Sequence, residues 1–110
     1  MARPNKITLT GSGSGTTNSS PLLLNWRARP FEVALAFDTG GSTTGFTVQM
    51  ALNDPLVTAA ASWTWFNHTE LAAMTADETG NLAFPVTAIR LQADANGTDT
   101  GTLFVIQSGG

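Results

Sequence analysis

Two alternating runs constrain this chain more than any other feature: FEVALAF at residues 31–37 and FTVQMAL at residues 46–52. In the first, Phe31, Val33, Leu35 and Phe37 fall on one face of an extended chain, opposite Glu32, Ala34 and Ala36. In the second, Phe46, Val48, Met50 and Leu52 fall opposite Thr47, Gln49 and Ala51. A period of two is that of a half-buried antiparallel strand, whose successive side chains point to opposite faces. Between the runs lies DTGGSTTG, rich in residues that reverse a chain. The two strands are therefore expected as a hairpin. Val33 and Val48 would face the core, where aspartate should cost on the order of 3–5 kcal/mol. Gln49 would face outward, where lysine should cost under about 0.5 kcal/mol.

The rest of the chain reads as further short strands. Ile7 and Leu9 alternate with Lys6, Thr8 and Thr10, which suits a short edge strand. Residues 11–20, GSGSGTTNSS, have the composition of a flexible linker. Residues 1–20 are thus expected as an N-terminal arm, whose strand can reach a neighbouring subunit or fold back on its own, and residues 21–110 as the folded domain. Leu22, Leu23, Leu24 and Trp26 form an apolar run, and Trp63 to Phe66 a short strand. Residues 56–62 have no clear period. Thr69 is placed to cap one helical turn through Met74. Residues 79–81 read as a turn. Thr87, Ile89, Leu91 and Ala93 alternate with Ala88, Arg90, Gln92 and Asp94, and Asn96-Gly97 then signals a hairpin into GTLFVIQ at residues 101–107. That last strand is apolar on both faces, so it is expected to be central or covered. Seven to eight short strands with regular turns predict an all-β chain, an antiparallel β-sandwich or jelly roll.

Composition narrows the function. A chain of 110 residues makes one domain at most. Charged residues are 12%, and the net charge is -3 with five basic residues, too few for an electrostatic grip on phosphates, so nucleic acid is not expected as a partner. There is no cysteine, hence no disulfide framework or thiolate chemistry. No run approaches the roughly 18 apolar residues of a membrane span, and no secretory signal is visible at the start. No membrane association is expected, and the three Asn-x-Ser/Thr triplets at Asn18, Asn67 and Asn96 carry little weight.

Candidate chemistry is sparse. Asp38-Thr39-Gly40 matches the local signature of a dimeric aspartic protease, in which two carboxylates share a proton and activate water. The same triplet is also what a polar reversing loop requires, and that reading is preferred. His68 is the only histidine, and no Gly-x-Ser-x-Gly elbow accompanies it. One histidine without cysteine makes a poor zinc site. Asp77-Glu78 with Asp94 or Asp99 could bind calcium, but a solvated loop explains the pair. No catalytic residue, metal or cofactor is expected. Trp63 and Trp65 share one face. Turned outward they could stack on sugar rings or a partner protein; turned inward they are core.

The segments FEVALAF…GFTVQMALNDP, WTWFNH, NLAFPVTAIRLQADA and GTLFVIQSG resemble small accessory virion proteins of tailed bacteriophages. The resemblance covers most of the chain after Pro30. It implies a capsid cement or decoration protein that binds the major capsid protein and clamps the shell, assembled in the host cytoplasm and residing in the virion. It also implies a homo-oligomer, dimer or trimer. The alternative is a neck, tail or fibre-associated carbohydrate-binding module. The interaction candidates are Trp63 and Trp65, with Ile7 and Leu9 on an arm able to add to a neighbour's sheet edge.

Overall fold

Among the described residues nine strands form: β1 (Arg3–Thr10), β2 (Thr17–Asn18), β3 (Leu22–Leu23), β4 (Glu32–Thr39), β5 (Phe46–Ala51), β6 (Trp65–Asn67), β7 (Glu78–Leu82), β8 (Ala88–Ala93) and β9 (Thr100–Ser108). The computed structural model describes residues 3–27, 32–41, 44–82, 84–94 and 97–108. The only helical element among them is a single 3-10 turn, Ala60–Ser62. The chain is an all-β sandwich, as its alternating runs predict.

The expected central hairpin does not form. β4 lies in a four-stranded sheet of order β1-β9-β4-β7 (sheet A), and β5 in a five-stranded sheet, β2-β8-β5-β6 with β3 also on β8 (sheet B). The two apolar stripes still meet, but across the core. Val33, Leu35 and Phe37 face Phe46 and Val48, all at most 2% exposed, and the Phe37 and Phe46 rings sit 5.1 Å apart. A Cβ on Gly101 would come within 2.7 Å of the Phe37 ring and 3.0 Å of the Phe46 ring, so a side chain there would displace both. Phe31 lies outside the described residues. Leu52, expected on the inner stripe, falls beyond the end of β5 and is 56% exposed.

The pairing is nested. β1 pairs with β9, β2 and β3 with β8, β4 with β7, and β5 with β6, all antiparallel. This is the order of one long hairpin, with β2 and β3 as two pieces of a strand broken at residues 19–21. Rolling that hairpin adds the pairs β4–β9 and β5–β8 and closes the two sheets over one core. Eight effective strands rolled in this way make a jelly roll.

Three crossing loops meet at one end. Gly11 donates to the Asp99 carbonyl and Gly13 to the Gly97 carbonyl, both at 3.0 Å. Gly45 N–H donates to the Asp94 carboxylate at 2.9 Å, while Asp94 N–H donates back to the Gly45 carbonyl at 2.9 Å. A Cβ on Gly97 would lie 1.7 Å from the Thr44 hydroxyl, and one on Gly11 would lie 2.3 Å from the Gly97 carbonyl oxygen. The close approach of backbones is why glycine occupies these turns. Asn96 lies outside the described residues, but Gly97 belongs to a crossing between sheets and not to the predicted hairpin.

The predicted arm and linker are part of the sandwich. β1 pairs along its whole length with β9 of its own chain, and Ile7 and Leu9 are each 8% exposed in the core. Within residues 11–20, Gly11 is buried, β2 pairs with β8, and the Ser19 hydroxyl accepts the Leu91 N–H at 2.9 Å. Local composition reads as linker because these contacts are made by backbone and hydroxyls, not by apolar side chains.

Two smaller expectations also fail. Residues 79–81 are strand, not turn, because the missing side chain of Gly80 leaves room for Leu71: a Cβ there would lie 3.0 Å from it. Residues 69–74 form no helical turn. The amides of Glu70 and Leu71 both point at His68 Nδ1 at 3.2 Å, and Val48 N–H donates to the Leu71 carbonyl at 2.8 Å. Phe46 and Met74 exchange both backbone bonds, at 2.9 and 2.7 Å. The segment thus extends β6 irregularly along β5, with Ala73 in the left-handed region at φ 51.

Candidate interaction surface

The β5–β6 connection, residues 52–64, is tied to itself at every stage. Asp54 Oδ1 accepts the Leu56 N–H at 2.9 Å, and the Asp54 carbonyl accepts those of Val57 and Thr58 at 3.1 and 2.9 Å. Asn53 Oδ1 accepts the Thr64 N–H at 2.9 Å, closing the base of the loop. The Trp63 indole N–H reaches back to the Thr58 carbonyl at 2.8 Å. This bracing holds Leu56 and Val57 out in solvent, 77% and 81% exposed, and Leu52 at the start of the loop is also exposed. Three apolar side chains on a fixed loop lose little conformational entropy on docking. Nothing in the periodicity of residues 56–62 marks them. The available signal was Asn53-Asp54-Pro55, which marks a turn just before Leu56 and Val57.

Trp65 stands opposite Ala51, and Arg90 opposite Gln49, on the outer face of sheet B. The guanidinium carbon of Arg90 lies 4.3 Å from the Trp65 ring centroid, and Trp63 packs on Trp65 at 5.9 Å and 53°. Arg90 Nε donates to Gln49 Oε1 at 2.8 Å, and Gln49 Nε2 donates to Asn67 Oδ1 at 2.9 Å. Burial lowers the Arg90 pKa from its ordinary value, but a guanidinium stays charged in proteins. The tryptophans are thus outward-facing and half-buried, and they brace the loop. Arg90 and Trp63 both pack against Trp65, which stays partly exposed. Gln49 is 8% exposed and bonded at both ends of its amide, so the outer face is not permissive there as expected.

The chemical candidates are scattered. Asp38 is exposed on β4, facing away from the core. Asp77 Oδ1 accepts the Thr39 N–H at 2.9 Å, and the Asp94 and Asp99 carboxylates accept the N–H groups of Gly45 and Thr44. These acids serve the crossing loops. Among the described residues no three His, Asp or Glu side chains cluster to hold a metal. His68 is 7% exposed, and with Nδ1 accepting, its Nε2–H donates to the Asn81 carbonyl at 3.1 Å. It borders a shallow depression with Met50 and Phe84. With both ring nitrogens engaged by backbone, His68 ties β7 to the segment along β5. Ile7 and Leu9 line the core, so neither is available at the surface.

The fold and surface define a small jelly roll whose polar groups serve its own backbone and whose apolar excess is displayed on a braced loop. No protein-family model and no curated protein matches the chain. Among solved structures, the chain is similar to a pilus subunit of Bacillus endospore appendages, described as a family of disulfide-linked pili: TM-score 0.53, 8% identity, 97% of this chain and 85% of that one. It also aligns with a protein of infectious bursal disease virus, Gx strain: TM-score 0.38, 17% identity, 98% of this chain and 34% of that one. At these identities the first likeness concerns the fold alone.

Proposed function

We propose that this chain is a structural subunit without enzymatic activity, and specifically a capsid cement or decoration protein of a tailed phage that binds the major capsid protein. The observation that carries the proposal is the braced loop at residues 52–64, which spends at least six hydrogen bonds on presenting Leu52, Leu56 and Val57 to solvent. A protein that clamps a shell needs such a rigid apolar contact, and needs no nucleophile. The phage and capsid assignment rests on the resemblance of residues 31–107. The pili that share the fold are disulfide-linked; this chain has no cysteine, so its attachment would not use a disulfide of its own. The carbohydrate-binding reading is the less favoured one, because Arg90 and Trp63 pack against Trp65.

The test is mass spectrometry of purified virions together with a binding assay on shells lacking the protein. Many copies per particle are expected. The double substitution Leu56→Ser, Val57→Ser should abolish binding to such shells while leaving the melting temperature unchanged. Its presence only in free lysate, or wild-type binding by the double variant, would overturn the assignment.

A further inference from the structure

Among the described residues, no element packs over the outer face of sheet A. β9 runs between β1 and β4 and sends Phe104 and Ile106 outward, each 46% exposed. Phe104 is flanked by Lys6 and Ala36, and Ile106 has Ala34 on its β4 side. The alanines are short, so the two large side chains stand above a low, flat floor. A central strand with apolar residues on both faces has only one of them covered here.

We propose that this face is a self-association surface whose occupant is a second copy of this chain. Charge is the first argument. Lys6 on β1 and Asp38 on β4 lie on opposite sides of β9, both on the outer face. Neither side chain has an oppositely charged partner among the described residues. A two-fold axis along β9 exchanges the β1 side of one copy with the β4 side of the other. Lys6 of each copy then lies over β4 of its mate, where Asp38 is one same-face position beyond Ala36, roughly 7 Å along the strand and within reach of a lysine stem.

Area is the second argument. Four strands of up to about eight residues make a face of roughly 19 by 27 Å, so about 500 Å² per copy and about 1,000 Å² in all. That meets the lower limit of specific interfaces, and describes a weak, concentration-dependent dimer. Growth by strand addition is the competing mode, and the edge strands β1 and β6 oppose it. β1 carries Pro4, which has no N–H, and the charged Lys6. β6 is three residues long. The proposal concerns this chain alone and stands apart from the capsid assignment.

Sedimentation velocity on the full chain, from about 1 to about 500 μM and without any shell, tests it. A concentration-dependent shift from one copy to two is expected, weakened by high salt. Ile106→Lys should raise the dissociation constant at least about tenfold, with an unchanged thermal melt as the folding control. Lys6→Glu and Asp38→Lys should each weaken the dimer, and the double variant should recover it, because the two-fold restores both pairs with reversed sign. A monomer at every concentration overturns the proposal. So does a trimer, a dimer indifferent to Ile106→Lys, or a double variant no better than its parents.

Discussion

Thr44 and Asp99 hold each other's backbone across 55 residues of sequence. Thr44 N–H donates to the Asp99 carboxylate at 2.9 Å, and Asp99 N–H donates to the Thr44 hydroxyl oxygen at 3.0 Å. Thr44 is fully buried, and the pair joins two of the loops that carry the chain from one sheet to the other. Thr44→Val keeps the shape and removes the acceptor. Leaving a partly buried N–H without it costs about 1–3 kcal/mol, and about 4–8 °C of melting temperature per kcal/mol in a domain of this size. Thr44→Ser should lose much less. Calorimetry on the two variants decides, and equal melting temperatures would mean the hydroxyl bond contributes nothing.

Gln49 is the hinge of the outer ladder on sheet B. Gln49→Lys removes the bond from Arg90, and sets an ammonium beside the guanidinium. We expect a loss of about 1–3 kcal/mol. Gln49→Glu sacrifices only the donation to Asn67 and gives Arg90 a charged acceptor, so it should be the milder change. Urea midpoints at fixed ionic strength check the order; a lysine variant as stable as wild type would return Gln49 to the status of an ordinary surface residue.

Removing residues 3–10 should abolish the cooperative melt. The deletion strips β1 from β9, takes Ile7 and Leu9 out of the core, and uncovers one side of Leu103 and Val105, which are at most 2% exposed. In the intact chain Ile7→Ala alone should cost about 2–3 kcal/mol. A truncated chain that still melts cooperatively by circular dichroism would mean that β1 is dispensable and free to dock on a neighbour.

The pattern of residues reports which side of a strand is apolar, and it did so for β1, β4, β5 and β8. It does not report which strand lies alongside. The Phe37 and Phe46 stripes meet equally well as neighbours in a sheet or as opposite walls of a sandwich, so DTGGSTTG reads as a hairpin loop until Thr44 and Asp99 are seen together. Gly80 reads as a turn because its reason for being small, Leu71, is remote from any turn. The interaction surface was legible only in part. Trp63 and Trp65 stood out by type, whereas Leu56 and Val57 sit in a stretch without clear period, and Phe104 and Ile106 in a strand expected to be central or covered.

The nested pairing decides when this protein can exist during its own synthesis. Sheet A has β9 at its centre, and of the nine strands β9 leaves the ribosome last. At translation speeds of about 5–20 residues per second, β1 waits several seconds for its partner. Its Lys6 and Pro4 keep that waiting edge from pairing with other nascent chains. The last strand both completes the sandwich and brings Phe104 and Ile106 to its surface, so the face proposed for self-association appears only once there is a finished fold to join.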